Sequence, residues 1–429
     1  MRNYTRTSEE LRALESKKLR SMLRFAYENV PLYHQWFTSN NLMPDDIRDN
    51  RDLTQLPTLT RADITNNPPE YLSSKARVVV KRTTSGTTGK PVRVHWDSIY
   101  ADTVIALKMR RLRIAGVKLT DKAVWAPYFG SSVTTSHPSG TRLPLLENVG
   151  QILFGTIDVR NPVFNSKIIP LGNKNLPEVI SALSSEKPKM VLSRPSFLRR
   201  IGRTAKRSGI GMQIPFLFCE GEIVSGACRR ELTELYGGEV FETYAASEFG
   251  TLGFQCRLHD GIHLDSDQFV FEVLRDDEPV SAGERGEVLI TCVGNHAMPL
   301  IRYKIGDVVV PEKDERCDCG SNLPRLRVVE GRLNDGLISC KGQRIAPGSI
   351  VEHLESQVGL RDFQIVQIGR NELTVKVQQS VGDHSMMSYI EAYLRDLLCK
   401  NARVHFVTWN EHDMPPKYRP ILVSVPPTN

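Results

Sequence analysis

The chain has 429 residues, 40% of them hydrophobic and 24% charged. That predicts two or three domains with a proper core and excludes a disordered chain. Its formal net charge of +7 favours anionic partners (nucleotides, phosphates, nucleic acids or an anionic surface) without choosing among them.

Residues 8–38 carry helical periodicity through Leu11, Leu14, Leu19, Met22, Leu23, Phe25 and Ala26, broken near Pro31. The lead-in to about residue 75 ends in a turn-rich stretch around Pro57. From about 77 to 330, short β-rich runs alternate with helical ones. Arg77–Lys81, Lys122–Ala126, Met190–Ser193 and Glu239–Tyr244 are the clearest strands, and the alternation predicts a largely parallel, helix-covered sheet. The basic stretch Arg194–Arg207 places Phe197, Leu198, Ile201 and Ala205 at helical spacing. It reads as an amphipathic helix with a solvated basic face rather than an RNA contact, since no RNA-binding motif accompanies it. In residues 268–310, "QFVFEVL" and "GEVLITCV" alternate as antiparallel strands do.

A boundary is expected near Gly331–Asn334. The division is a large domain, 1–331, and a small α+β domain, 332–429. Strands are expected at Phe363–Ile368, Glu372–Gln378 and Arg403–Thr408, and helices at Gly348–Ser356 and Met387–Cys399. The fold class is therefore α/β: mixed and parallel sheets under helices, a β-barrel-like part, and a small mobile C-terminal domain. No apolar run approaches the about 20 residues of a membrane span. The N-terminal residues lack the apolar core of an export signal, so the expected compartment is the cytosol. Eight cysteines are then expected as reduced thiols or metal ligands.

The most informative string is "TTSGTTGKP", Thr83–Pro91, between two strand-like runs. Gly86 and Gly89 let the backbone approach a ligand closely. Thr84, Ser85, Thr87 and Thr88 supply hydroxyls, and Lys90 supplies a charge. With backbone N–H groups they would cradle a polyphosphate. The spacing is not that of a Walker A loop, which needs four residues between the glycines.

This loop resembles the signature of the adenylate-forming superfamily, which includes acyl-CoA synthetases, adenylation domains and luciferases. "FETYAASEFG" (Phe241–Gly250), "GERGEVLIT" (Gly283–Thr291), "IRYKIGD" (Ile301–Asp307) and "GRLND" (Gly331–Asp335) resemble further motifs of that family, in its order. "LRSMLRFAYENVPLYHQWF", "LPTLTRADI" and "CEGEIVS" are similar to the phenylacetate–CoA ligase branch.

The resemblance implies a reaction in which a carboxylate attacks the α-phosphorus of ATP and pyrophosphate leaves. Thr84–Lys90 would hold the leaving phosphates, and Glu248 would bind Mg²⁺, a cation that prefers carboxylate oxygen. Taken alone, Glu248 reads as a solvated acid. Tyr244 would stack near the adenine and Ser247 would contact phosphate. Asp307 would accept from both ribose hydroxyls, as an acceptor-only carboxylate can. Arg332 would add a ribose or phosphate contact, and Gly221 and Glu222 would line the adenine side. Lys417, in "PPKYRP", stands at the position of the bridging catalytic lysine, although Pro416 replaces the usual glycine. Ile305 and Asn334 replace a threonine and a hinge aspartate.

Cys256, His259, Cys317 and Cys319 offer a structural Zn²⁺ set, with His263 as a spare ligand; the alternative is four free side chains in turns. Cys219, Cys228, Cys292, Cys340 and Cys399 read as core. Tyr128 or Phe129 could wall the acyl pocket, and an aromatic or hydrophobic acid is the expected substrate. The expected partners are a small carboxylic acid and CoA, with a second copy of the chain as a further candidate. Neither nucleic acid nor membrane is expected. Two other functions remain open: adenylyl or acyl transfer to an amine, hydroxyl or carrier protein, and nucleotide binding without turnover.

Overall fold

The computed structural model describes residues 2–66, 68–83, 92–118, 121–125, 134–136, 166–168, 176–313, 316–357, 360, 362–378, 384–409 and 418–425. Thr84–Lys90, Tyr128, Phe129, Pro416 and Lys417 lie outside the described residues.

Helix α1 (Ser8–Asn29) starts at a capping box. Thr7 accepts from the Glu10 backbone N–H, and Glu10 accepts from that of Thr7. Leu19, Met22, Leu23 and Ala26 form its buried stripe. Pro31 cannot continue that helix, but its fixed φ suits a first turn, so α2 (Pro31–Ser39) begins there. Helix α3 (Arg61–Asn66) follows.

Strands β1 (Val78–Thr83), β2 (Arg93–Asp97) and β4 (Thr134–Ser136) form a three-stranded sheet of order β2-β1-β4. Asp97 ends β2 and caps α4 (Ser98–Ile114) by accepting from the Tyr100 N–H.

A twelve-stranded sheet holds the rest of the large unit. Its parallel half comprises β3 (Ala123–Trp125), β5 (Ser166–Ile168), β6 (Met190–Ser193), β7 (Phe216–Glu220) and β8 (Glu239–Ala246). Helices α5 (Leu176–Glu186), α6 (Pro195–Arg207) and α7 (Gly226–Tyr236) cover it, and they share a core of Val191, Leu198, Ile201, Leu217, Leu232 and Tyr236. The antiparallel half comprises β9 (Gly250–Phe254), β10 (Ile262–Leu264), β11 (Phe269–Arg275), β12 (Glu278–Pro279), β13 (Gly286–Cys292), β14 (Tyr303–Pro311) and β15 (Arg325–Arg332). The halves join where β8 meets β9, giving the order β12-β11-β13-β14-β15-β10-β9-β8-β7-β6-β3-β5. The sheet is thus mixed and helix-covered, but parallel only from β5 to β8 rather than largely parallel, and β1, expected among the parallel strands, pairs antiparallel in the smaller sheet. Gly253 is required at this junction, because a Cβ there would lie 2.7 Å from the His263 carbonyl oxygen.

After the 3-10 turn Leu333–Asp335 come the hairpin β16 (Leu337–Ile338) and β17 (Arg344–Ile345), α8 (Pro347–Glu352), β18 (Gln364–Gly369), β19 (Glu372–Gln378), α9 (His384–Leu397), β20 (Arg403–Trp409) and β21 (Ile421–Val423). The larger sheet runs β20-β19-β18-β21 around a core of its own, with Leu354, Phe363, Ile365, Leu373, Val375, Ile390 and Leu394.

Two sequence expectations are corrected here. The basic face of α6 is solvated only at its C-terminal end. Arg199 is buried and pairs with Glu231 and Glu355, and Arg203 pairs with Glu231 and Asp362. Glu355 and Asp362 belong to the C-terminal segment, so Arg199 and Arg203 make an internal contact, while Lys206 and Arg207 at the end of the helix stay exposed as expected. The Ser225 hydroxyl also donates to Glu355, and the Gly226 N–H donates to Glu352 at 2.9 Å. The second correction concerns Cys340. It is exposed rather than core, and it is disulfide-bonded to Cys399 with their Cα atoms 5.7 Å apart.

Candidate active site

Strands β14 and β15 bring Asp307 directly opposite Arg332. The Arg332 Nε lies 3.7 Å from one Asp307 carboxylate oxygen. The other oxygen accepts from the Tyr244 hydroxyl at 2.9 Å, a bond between residues 63 apart in sequence. Burial pushes the Asp307 carboxyl above its ordinary pKa, while Arg332 and Tyr244 pull the other way. A carboxylate so held is an acceptor with lone pairs left for a ligand.

Glu248, which alone reads as a solvated acid, is 3% exposed. Its Oε1 accepts from the Tyr303 hydroxyl at 3.2 Å and lies 3.6 Å from an Arg61 nitrogen. Its backbone oxygen accepts from the Trp96 indole at 3.1 Å. Its Oε2 has no hydrogen-bond partner among the described residues. A buried carboxylate oxygen without a donor is costly, and a hard cation would satisfy it, so the residues present fit Mg²⁺. Glu248 also acts electrostatically on Asp307, Arg332 and Tyr244, so all four share one region.

Ser247 is half-buried in the turn between β8 and β9. Gly221 follows β7 with φ +79°, and a Cβ there would meet nothing within 4 Å. The Glu222 carboxylate accepts from the Ser196 N–H at 3.1 Å and lies 3.8 Å from Arg194. Arg61, Trp96 and Tyr303, which hold Glu248, escaped the sequence reading. Arg61 and Tyr303 stand inside the "LPTLTRADI" and "IRYKIGD" strings but carry no role there, and Trp96 reads as ordinary core until the sheets are folded together.

The cysteine cluster forms with one change of ligand. Cys256, His263, Cys317 and Cys319 place one ligand atom each within 4.8 Å of one another. The Cys256 and Cys317 sulfurs are 3.9 Å apart, and the Cys319 sulfur is 3.5 Å from His263 Nε2. Thiolates at about 2.3 Å from a tetrahedral Zn²⁺ would be roughly 3.8 Å apart, so the set fits that ion. Burial pushes His263 down to about 4, which keeps it the neutral imidazole a metal needs. His259 is not part of the cluster. It sits in the polar turn after Cys256 at φ +54°, with Nε2 3.0 Å from Glu239. His263 lies on β10, paired with Phe254 and stacked on its ring. A histidine flanked by Ile262 and Leu264 in a strand-like run was the available signal for a buried ligand.

No family model matches the chain. It is 26% identical to the phenylacetate-coenzyme A ligase of Escherichia coli K12, covering 87% of this chain and 84% of that one. It is 24% identical to the ligase of that name from Aromatoleum evansii, covering 93% and 90%. Protein CapK of Staphylococcus aureus is 22% identical, over 78% and 70%. Among solved structures, 2-hydroxyisobutyryl-CoA ligase in its postadenylation state aligns with a TM-score of 0.79 at 18% identity, covering 99% of this chain and 91% of that one. The same ligase in its thioesterification state, with CoA, aligns at 0.66 and 20% identity, covering 99% and 92%.

Proposed function

We propose, from the premise that this chain belongs to the adenylate-forming superfamily, that it is an AMP-forming acid–CoA ligase. It activates a carboxylic acid with ATP, releases pyrophosphate and transfers the acyl group to the CoA thiol. The observation that carries this reading is the meeting of buried Tyr244, Glu248 and Asp307 with half-exposed Arg332, drawn from both halves of the sheet. The full-length likeness to phenylacetate–CoA ligases supports it.

The first step brings a carboxylate to a polyanion, so the site must offset their repulsion and hold them in line. In this reading Asp307 accepts from the ribose hydroxyls, with its orientation set by Tyr244 and Arg332. Tyr244 flanks the adenine beside Gly221 and Glu222. Thr84–Lys90 hold the departing phosphates, and Ser247 contacts phosphate. Glu248, kept in place by Tyr303 and Arg61, would hold Mg²⁺, which supplies charge neutralisation on the phosphate oxygens. Lys417 bridges the carboxylate and α-phosphate oxygens as the mixed anhydride forms.

In the second step the thiol sulfur attacks the acyl carbon and AMP leaves. Between the steps the small domain, 332–429, rotates about Asn334, a domain-closure type of change. The acid has an aromatic or hydrophobic body. Cys256, His263, Cys317 and Cys319 hold a structural Zn²⁺, with no ligand position left for chemistry.

Pyrophosphate release with a panel of acids, with and without CoA, tests the reading. Release coupled to CoA-dependent thioester is expected. Release with an amine or carrier protein as the acceptor would replace the second step, and ATP binding without release would refute the first.

A further inference from the structure

Beside the nucleotide residues lies a concentration of positive charge, buried at Arg111 and half-buried at Arg82 and Lys108, that the reaction outlined above does not use. Arg82, at the end of β1, is two residues before Thr84. Lys108 and Arg111 lie on α4. Glu220, at the C-terminal end of β7, is the acid that acts most strongly on all three. The neighbouring Arg110 is satisfied separately, by Asp265 and Asp267.

Arg111 is 1% exposed, yet its Nε and Nη1 have no hydrogen-bond partner among the described residues. Its nearest acid oxygen, on Glu220, is 4.0 Å away, beyond hydrogen-bond reach. The Arg82 Nε is likewise without a partner, and its guanidinium lies 4.6 Å from the Trp96 ring centroid. Burial holds both arginines below their ordinary pKa and pushes Lys108 down to about 7. Buried guanidinium nitrogens without acceptors are costly, and a bound anion is one way to complete them.

The register says where that ligand sits. Glu220 pairs with Thr243, the residue before Tyr244, and the Thr243 hydroxyl is buried without a partner. Trp96, under Arg82, donates to the Glu248 backbone. The cations therefore flank the nucleotide residues at the C-terminal ends of parallel strands, where open α/β sheets bind ligands. A carboxylate attacking the α-phosphorus must point its remaining atoms away from the nucleotide, toward groups that neighbour it as these cations do.

We infer that the acid activated by this protein carries a second anionic group, seated on Arg111 with Arg82 and Lys108 beside it. This rests on the ligase reading and narrows its substrate class. The body of the acid remains aromatic or hydrophobic, consistent with the Phe218 ring that lies 5.8 Å from the Arg111 guanidinium carbon.

The test uses matched probes on the full chain: phenylacetate against 4-carboxyphenylacetate, and hexanoate against adipate. Each is titrated calorimetrically with a non-hydrolysable ATP analogue bound. At least one diacid should bind tenfold or more tighter than its monoacid partner, the effect of one charge-assisted hydrogen bond. In Arg111→Met that preference should disappear, and Arg111→Lys should keep part of it. In Glu220→Gln it should grow, because the competing acid is gone; a merely structural Glu220 would not produce that sign. Equal binding within each pair, or no diacid binding, overturns the inference. So does a tenfold loss of ATP-analogue affinity in a folded Arg111→Met protein, which would assign the cations to the triphosphate. Failure of the ligase reading is seen separately, as absence of pyrophosphate release with every acid.

Discussion

In the proposed reading Asp307 holds the ribose, and Asp307→Asn isolates that role. The substitution keeps the outline of the side chain and removes its charge. Tyr244 can still donate to the remaining oxygen, now 2.9 Å away in the native geometry. The new amide, however, presents a donor where a ribose hydroxyl needs an acceptor. Losing one charge-assisted hydrogen bond costs about 1.5–3 kcal/mol, so the Kd for ATP should rise roughly tenfold to 150-fold. Stability should move little. Burial raises the Asp307 pKa, so its charge already carries a desolvation cost, and Arg332 is 36% exposed, where water replaces the lost partner. A change within about 1 kcal/mol is expected from thermal unfolding. Equilibrium ATP titration and melting of the same preparation give both numbers. An ATP affinity within twofold of the wild type in a folded variant would refute the ribose assignment. Collapse of the melt would instead make Asp307 a structural ion-pair member.

Three further outcomes are expected. Protein prepared without chelator should carry about one equivalent of zinc; His263→Ala should lower that content and the melting temperature, while His259→Ala leaves the content unchanged. Glu355→Gln should destabilise by about 3 kcal/mol, because it leaves buried Arg199 short of a partner, and limited proteolysis should then cut sooner between the two units. Burial raises the Glu242 pKa to about 7, against the pull of Arg229. The folded state therefore binds that proton more tightly than the unfolded chain does. Stability should fall as pH rises from the ordinary carboxyl range through about 7, and Glu242→Gln should flatten that slope in urea titrations across pH.

Most strands and helices were legible because their signals are local. Alternation marks β11 and β13, Pro31 marks the break after α1, apolar spacing marks α6, and a strand–helix rhythm marks the parallel half. The solvent exposure of charged residues was not local. Arg199 and Arg203 look like a solvated face on the sequence, since the acids that pair with them are remote in sequence, Glu231 by about thirty positions and Glu355 and Asp362 by more than a hundred. Glu248 looks exposed for the same reason. His259 looked like the ligand because its spacing from Cys256 is right, but a turn at positive φ aims it at Glu239.

Order along the chain is thus enough to state which chemical groups are available and in what kind of element each sits, because propensity and periodicity act over a few residues. Which groups meet is set by sheet register and helix docking. Only the packed molecule puts Arg332 opposite Asp307, exchanges one histidine for another beside three cysteines, and leaves two nitrogens of interior Arg111 without a hydrogen-bond partner among the described residues. Those outcomes depend on contacts between residues far apart in sequence, whose energies no short window of the chain contains.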